Sequence, residues 1–243
     1  FRGCSGPPNR LARAYHSGDS GEVDWILRRL KQGAGPVFAV GVSLGGNALL
    51  KWLGEQGAAA SEVVVAAASV SAPLDLTISG DALACGLNRA YTRIFLSTLK
   101  PRSLTKLDRF PGLYDAAAVR RAATLREFDD VVTAPLHGFR DTDDYWRRAS
   151  SKPLLGRIRV PTLVLNARND PFVPPPCLPV PEDVSPAVTL EFPDEGGHAG
   201  FVSGRFPGTL DWLPRRLLAF FDQAAPDAAS PIMRAPQPGP RRP

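Results

Sequence analysis

Cysteine, methionine and histidine are scarce in this chain: its 243 residues hold three Cys, one Met and three His. The cysteines are Cys4, Cys85 and Cys177, an odd number with no C-x-x-C spacing. Such a set argues against a disulfide framework and a zinc site, and a reducing, cytoplasmic setting is the simplest expectation. No apolar run approaches the ~18 residues that a membrane helix needs. Charge is only mildly one-sided: 29 Lys and Arg against 24 Asp and Glu give a net charge of +5, with a sequence pI of about 9.4. The arginines are scattered from Arg10 to Arg242, with no basic stripe interleaved with aromatics, so no nucleic-acid partner is expected. No metal or cofactor is expected either.

What is present is an alternating pattern. Asp19 to Leu30 reads as a helix that Asp19 or Ser20 can cap, with Val23, Ile26, Leu27 and Leu30 as its apolar face. Val37 to Val42 is a continuous, partly β-branched run, the signature of a strand buried on both faces. A helix over Gly46–Gly57 and a strand over Val63–Val70 follow. Alternating helices and buried strands point to a parallel sheet with helical crossovers. From about 76 to 151 no convincing buried strand occurs. Helical stretches are expected there around Ala82–Leu99, Ala116–Ala123 and Asp143–Ser150, an insertion that could act as a lid. Strands resume at Thr162–Leu165 and Val188–Phe192, and a closing helix spans Trp212–Phe221. Residues 1–223 therefore read as one domain. Residues 224–243, rich in Pro, Ala and Arg, read as a disordered tail.

The stretch "VGVSLGGN" sets Ser43 between a strand and a helix in a G-x-S-x-G frame. A nucleophilic serine must project from a tight turn with small neighbours, and Gly41 and Gly45 supply them. The helix that follows aims its N-terminal amides at the site, so the N–H of Leu44 is the expected oxyanion donor. Only three histidines can serve as base. His16 lies in an early loop and His137 in the helical insertion; His198, in "DEGGHAGF", follows the last strand. Catalytic residues of open α/β sheets gather at the carboxyl ends of strands, which selects His198. Asp170 follows the preceding strand directly and is the expected orienting acid. Asp194 and Glu195 are closer to His198 in sequence and remain alternatives, while Asp129 and Asp130 belong to the insertion. The order Ser43, Asp170, His198 is nucleophile, acid, base, the order of α/β-hydrolases.

The segments "FRGCSG", "YHSG", "VGVSLGGN", "LREFDD", "HGF", "ARNDPF" and "GGHAGF" extend the likeness over Phe1 to about Phe221. Through them the chain resembles the α/β-hydrolase superfamily, in its YheT-like branch of expected bacterial esterases. The resemblance implies a mostly parallel sheet with helices on both faces and a helical cap. It implies a serine hydrolase of carboxylic esters, acting on lipid-like or medium-chain acyl esters, with Ser43, Asp170 and His198 as triad. Contact with a membrane surface would then be transient. The resemblance equally admits an acyltransferase that passes the acyl group to an alcohol, or a binding protein with an idle triad. Family members begin with further strands and an H-G-x-x-G-type loop that supplies a second oxyanion donor. Neither is found here, so the chain is expected to be an N-terminally truncated member. Phe95, Phe110, Tyr114 and Trp146 of the insertion are candidate walls of an acyl pocket.

Overall fold

Four short apolar runs form one parallel sheet in the computed structural model, which describes residues 2–4, 9–33 and 35–224. The strands are β1 (Phe38–Val42), β2 (Ala66–Val70), β3 (Thr162–Leu165) and β4 (Val188–Glu191), ordered β1-β2-β3-β4. Their registers pair Val42 with Val70, Val70 with Leu165, and Leu165 with Glu191. The carboxyl ends are thus level, and the loops that leave them share one edge of the sheet.

Side-chain alternation along the strands separates two cores. Ala67 and Val164 point to one face, against Leu49, Leu50, Trp52 and Leu53 of helix α2 (Leu44–Gln56) and Leu27 of helix α1 (Ser20–Lys31). Ala66, Ala68, Val70, Leu163 and Leu165 point to the other, against Phe220 and Phe221 of the closing helix. Helices on both faces satisfy a parallel sheet whose central strands are fully buried.

Several expectations are corrected at the margins. Strand β1 is not buried on both faces. It is one of the two edge strands among the described residues, and Val40 and Val42 are each 46% exposed, because the cluster beneath the closing helix reaches Phe38 but not them. In α1 only Leu27 of the expected apolar face is buried, while Ile26 and Leu30 are exposed. Asp19 stands at the N-cap without capping, because its buried carboxylate accepts two hydrogen bonds from Arg13. The second strand, expected from Val63, begins only at Ala66, and a 3-10 helix, Gly57–Glu62, fills the gap after α2.

Between β2 and β3 the described chain is helical. α3 (Leu76–Leu83) is capped by Asp75, whose carboxylate accepts from the amides of Thr77 and Ile78. α4 (Asn88–Arg109) runs through Pro101, where the sequence suggested an end. Proline removes one backbone hydrogen bond there, yet the helix continues because it is anchored at its far end: Lys106 Nζ donates to the carbonyls of Leu11, Ala12 and Arg13. α5 (Ala116–Arg121) follows. α6 (Leu125–Phe128) passes through a π-helical turn, Asp129–Thr133, into α7 (Ala134–Leu136), so "LREFDDVVTAPL" is itself helical. α8 (Thr142–Ala149) returns the chain to the sheet. After β4 the closing helix is α9 (Trp212–Ala224); the rest of the expected tail lies outside the described residues.

One buried side chain ties these parts together. Asn47, in the first turn of α2, donates from Nδ2 to the Ser17 carbonyl and hydroxyl and to the Ala149 carbonyl, and its Oδ1 accepts from the Ser151 amide. It therefore fixes the 9–17 loop and the end of the insertion to the helix that carries Ser43. Asn47→Ala leaves buried backbone groups unpartnered, each worth about 1–3 kcal/mol. We expect it to lose at least about 2 kcal/mol of stability, read from equilibrium urea unfolding.

Candidate active site

Ser43 occupies a strained turn. Its φ is 53° and ψ −122°, a left-handed conformation that L residues rarely adopt. The turn is held by three backbone bonds: Ser43 N–H to Val70 O, and the amides of Gly46 and Asn47 to Ser43 O. It also requires close backbone approach. A Cβ on Gly41 would lie 2.4 Å from the carbonyl oxygen of Gly45, and one on Gly46 would lie 2.6 Å from Ser69 Oγ. The sequence reading named Gly41 but missed Gly46, whose contact is with a strand about twenty residues away. Leu44 is the first residue of α2, so its N–H belongs to the helix turn whose amides have no intrahelical partner.

Asp170 and His198 arrive from the neighbouring strand ends. His198 Nε2 lies 2.9 Å from Ser43 Oγ, and His198 Nδ1 lies 2.9 Å from Asp170 Oδ2. The Asp170 side chain is fully buried; its other oxygen accepts from the Phe172 amide at 2.8 Å. Two supports went unread in the sequence. Asn169 Oδ1 accepts from the amides of both Gly196 and Gly197, which ties the acid loop to the histidine loop. Gly197 is left-handed, with φ +61°, so the loop reaches this geometry without Cβ strain. The Phe172 ring packs 4.5 Å from the His198 ring and is itself met by Tyr91 and Phe95 of α4. Asn88, at the start of α4, donates to the Pro171 carbonyl. The insertion is therefore fastened directly to the acid loop. Asp194, the alternative acid, instead pairs with Arg168 on the surface.

Ser43 and His198 face a cavity of about 1140 Å³ between the sheet edge and the insertion, with Asp170 buried behind the histidine. Ser43, Leu44 and His198 line its floor; Phe95, Leu99, Phe128, Val132 and Phe172 form an apolar wall. Of the four aromatic candidates, Phe95 and Phe110 line the cavity. Tyr114 packs in the insertion core and donates to the Ser103 carbonyl. Trp146 is buried, donates to Asp129 and closes on Gly80, where a Cβ would lie 2.4 Å from its ring.

The other two histidines also border the cavity without joining the triad residues. His16 Nδ1 accepts from the Gly18 amide, and burial, with His137 beside it, lowers its pKa to about 4. His137 bridges two backbone carbonyls, those of Thr133 and Ala14. Asp129 faces the same interior. Burial raises its carboxyl to about 6, against the opposing effect of hydrogen bonds from Thr133 and Trp146. Cys177 is buried beside Ser79 Oγ, and Cys4 and Cys85 are exposed. Among the described residues no group of three or more His, Cys, Asp or Glu is placed to hold a metal ion, and no helix is long and apolar enough to cross a membrane.

Comparison with known proteins places this geometry in a class. The alpha/beta hydrolase family matches residues 1–206. The esterase candidate YheT of Escherichia coli (strain K12) is 41% identical over 222 residues, covering 89% of this chain and 64% of YheT. Phospholipase ABHD3 of Mus musculus is 32% identical over 219 residues, covering 88% of this chain and 53% of ABHD3. Among solved structures, an esterase of Exiguobacterium antarcticum aligns with a TM-score of 0.51 at 18% identity, over 92% of this chain and 79% of its own. An α/β-fold hydrolase of Bacillus anthracis aligns at 0.53 and 13%, over 92% and 80%. The chain belongs to the alpha/beta hydrolase family and has its fold. It spans between half and two thirds of the length of these two curated relatives.

The raised Asp129 gives the insertion a pH signature. The folded state holds this proton more tightly than the unfolded chain, so the stabilisation is complete below the unfolded carboxylate pKa and is lost as pH rises through about 6. Asp129→Asn does not titrate. Its stability relative to the parent should rise between about pH 4 and pH 7. Urea unfolding of both proteins across that range reads the difference; a constant difference would contradict the assignment.

Proposed function

We propose that this protein hydrolyses carboxylic esters with Ser43 as nucleophile, His198 as general base and acid, and Asp170 as orienting carboxylate. The observation that carries the reading is the unbroken chain Ser43 Oγ, His198 Nε2, His198 Nδ1, Asp170 Oδ2, with both links at 2.9 Å, on the floor of a largely apolar cavity. Family membership supports the hydrolase class.

In the reaction, Ser43 Oγ attacks the ester carbonyl as its proton passes to His198 Nε2. The C–O π bond becomes an oxyanion, which the Leu44 N–H stabilises at the positive end of α2. Collapse expels the alkoxide, and His198 returns the proton to it, leaving an acyl-Ser43. Water then gives up a proton to His198, attacks the acyl carbonyl, and collapse releases the carboxylic acid with Ser43 restored. Buried Asp170 holds Nδ1–H and stabilises the imidazolium formed at each attack. The apolar wall from Phe95 to Phe172 suits an acyl chain, so the substrates proposed are lipid-like or medium-chain esters. The name of the relative ABHD3, a phospholipase, agrees with that class. The insertion helices serve as the cap of the site, with Leu87 at the N-cap of α4 and Tyr91 and Ile94 on the helix exposed for passing contact with a lipid surface.

The test is active-site labelling with a fluorophosphonate, followed by turnover of a medium-chain ester by the intact protein. Wild type should label at Ser43, and Ser43→Ala should neither label nor turn over. Asp170→Asn should keep ester binding but lower kcat by about 10⁴-fold. Labelling that survives in Ser43→Ala would sink the assignment.

A further inference from the structure

The cavity has a second chemical character that ester hydrolysis does not need. Five cations line it: Arg2 and Arg10 from the N-terminal loop, and Arg102, Lys106 and Arg109 from the second half of α4. Among the described residues only two carboxyls line it, Asp108 and the buried Asp129. Two of the cations are already committed. Arg2 pairs with Glu22 at 3.6 Å, and Lys106 is spent on three loop carbonyls. Burial, and then Arg2 beside it, hold Lys106 below the usual lysine range. Arg10, Arg102 and Arg109 make no ion pair with any described residue.

Their placement is directional. Phe95, Arg102 and Arg109 are seven residues apart along α4 and share one helix face. At 1.5 Å per residue, Arg102 lies about 10 Å and Arg109 about 21 Å beyond Phe95 along the axis. Phe95 meets Phe172, which packs on His198, so the series starts beside His198 and ends in guanidinium groups that make no ion pair among the described residues, Arg109 lying over the Phe110 ring. Guanidinium forks bind phosphate and carboxylate oxygens in pairs.

We propose that the site selects anionic amphiphiles: an apolar segment lies along Phe95, Leu99 and Phe128, and a negatively charged end is held by Arg102 and Arg109 with Arg10 opposite. This names the substrate class of the ester hydrolase proposed above and rests on that reading.

Binding separates the two claims. In the Ser43→Ala protein, which cannot turn ligand over, calorimetry with dodecyl phosphate, dodecanoate and a neutral dodecyl glycerol ether reads charge selection without chemistry. Dodecyl phosphate should bind at least about tenfold more tightly than the ether at low ionic strength, and high salt should shrink that ratio. Adding Arg102→Gln and Arg109→Gln should bring the ratio near one, with circular dichroism and unfolding midpoint unchanged because both side chains are exposed. Tight dodecanoate binding as well identifies negative charge as the feature read; tight binding of dodecyl phosphate alone identifies phosphate. Equal affinity for the phosphate and the ether, or a ratio that survives both arginine changes in a folded protein, overturns the proposal. A charge preference in a protein whose wild type neither labels nor turns over esters overturns the hydrolase reading and leaves the anion site standing.

Discussion

The whole arrangement depends on the turn at Ser43. A left-handed serine costs on the order of 1–3 kcal/mol and survives only where its surroundings leave no alternative. Here the surroundings are the first turn of α2 pressed against β1, with Gly41 and Gly46 close enough to exclude any Cβ. The Ser43 amide is bound to the end of β2, so the chain cannot relax into an ordinary strand-to-helix bend. The strain aims the hydroxyl out of the sheet edge, and the helix brings its amides to the same point. Asn47, one turn further on, ties this strained segment to two other parts of the chain.

Level strand ends do the rest. Because β1 to β4 end in register, their trailing loops share one edge, and residues 155 positions apart in sequence come within hydrogen-bond distance. The loops still need fixing relative to one another, since their lengths alone do not determine where a side chain points. Asn169 does this with one oxygen shared by two glycine amides, and the Glu191–Arg216 pair fastens the end of β4 to α9. Asp170 is buried, and its carboxylate is held against His198 Nδ1 by this packing and by the Phe172 amide.

The four strands and the residues following them were legible in the sequence because buried parallel strands leave a local mark: short β-branched runs closed by glycine, proline or polar loops. Ser43, Asp170 and His198 could be picked as candidates for the same reason, since position after a strand is a local property, and the structure brings the three side chains together. What was not legible depends on partners distant in sequence. The helix expected to end at Leu99 runs on through Pro101 to Arg109, where Lys106 is bonded to residues 11–13. The π-turn at Asp129–Thr133 leaves no periodicity of its own and is stabilised by bonds from Trp146 and Thr142. Asn47, Asn169 and Gly46 look like ordinary polar or small residues until their neighbours are known. Trp146 and Tyr114 suggested a pocket by composition, yet the insertion needs aromatics of its own to pack.

The cavity joins two segments that have little reason to meet otherwise. The 9–17 loop is polar and has no regular structure, and α4 by itself has no strongly apolar face. Lys106 holds them together through hydrogen bonds to three loop carbonyls, and His137 ties the same loop, at Ala14, to Thr133 of the π-turn. Side chains that end in donors can cross-link loop carbonyls without burying apolar surface, which leaves the apolar surface of the insertion free to line the cavity. The same solution gathers positive charge at one end of that cavity. Once Lys106 and Arg2 are spent on structure, the remaining guanidinium groups stay exposed and make no ion pair among the described residues, so the architecture that builds the pocket also gives it an electrostatic direction.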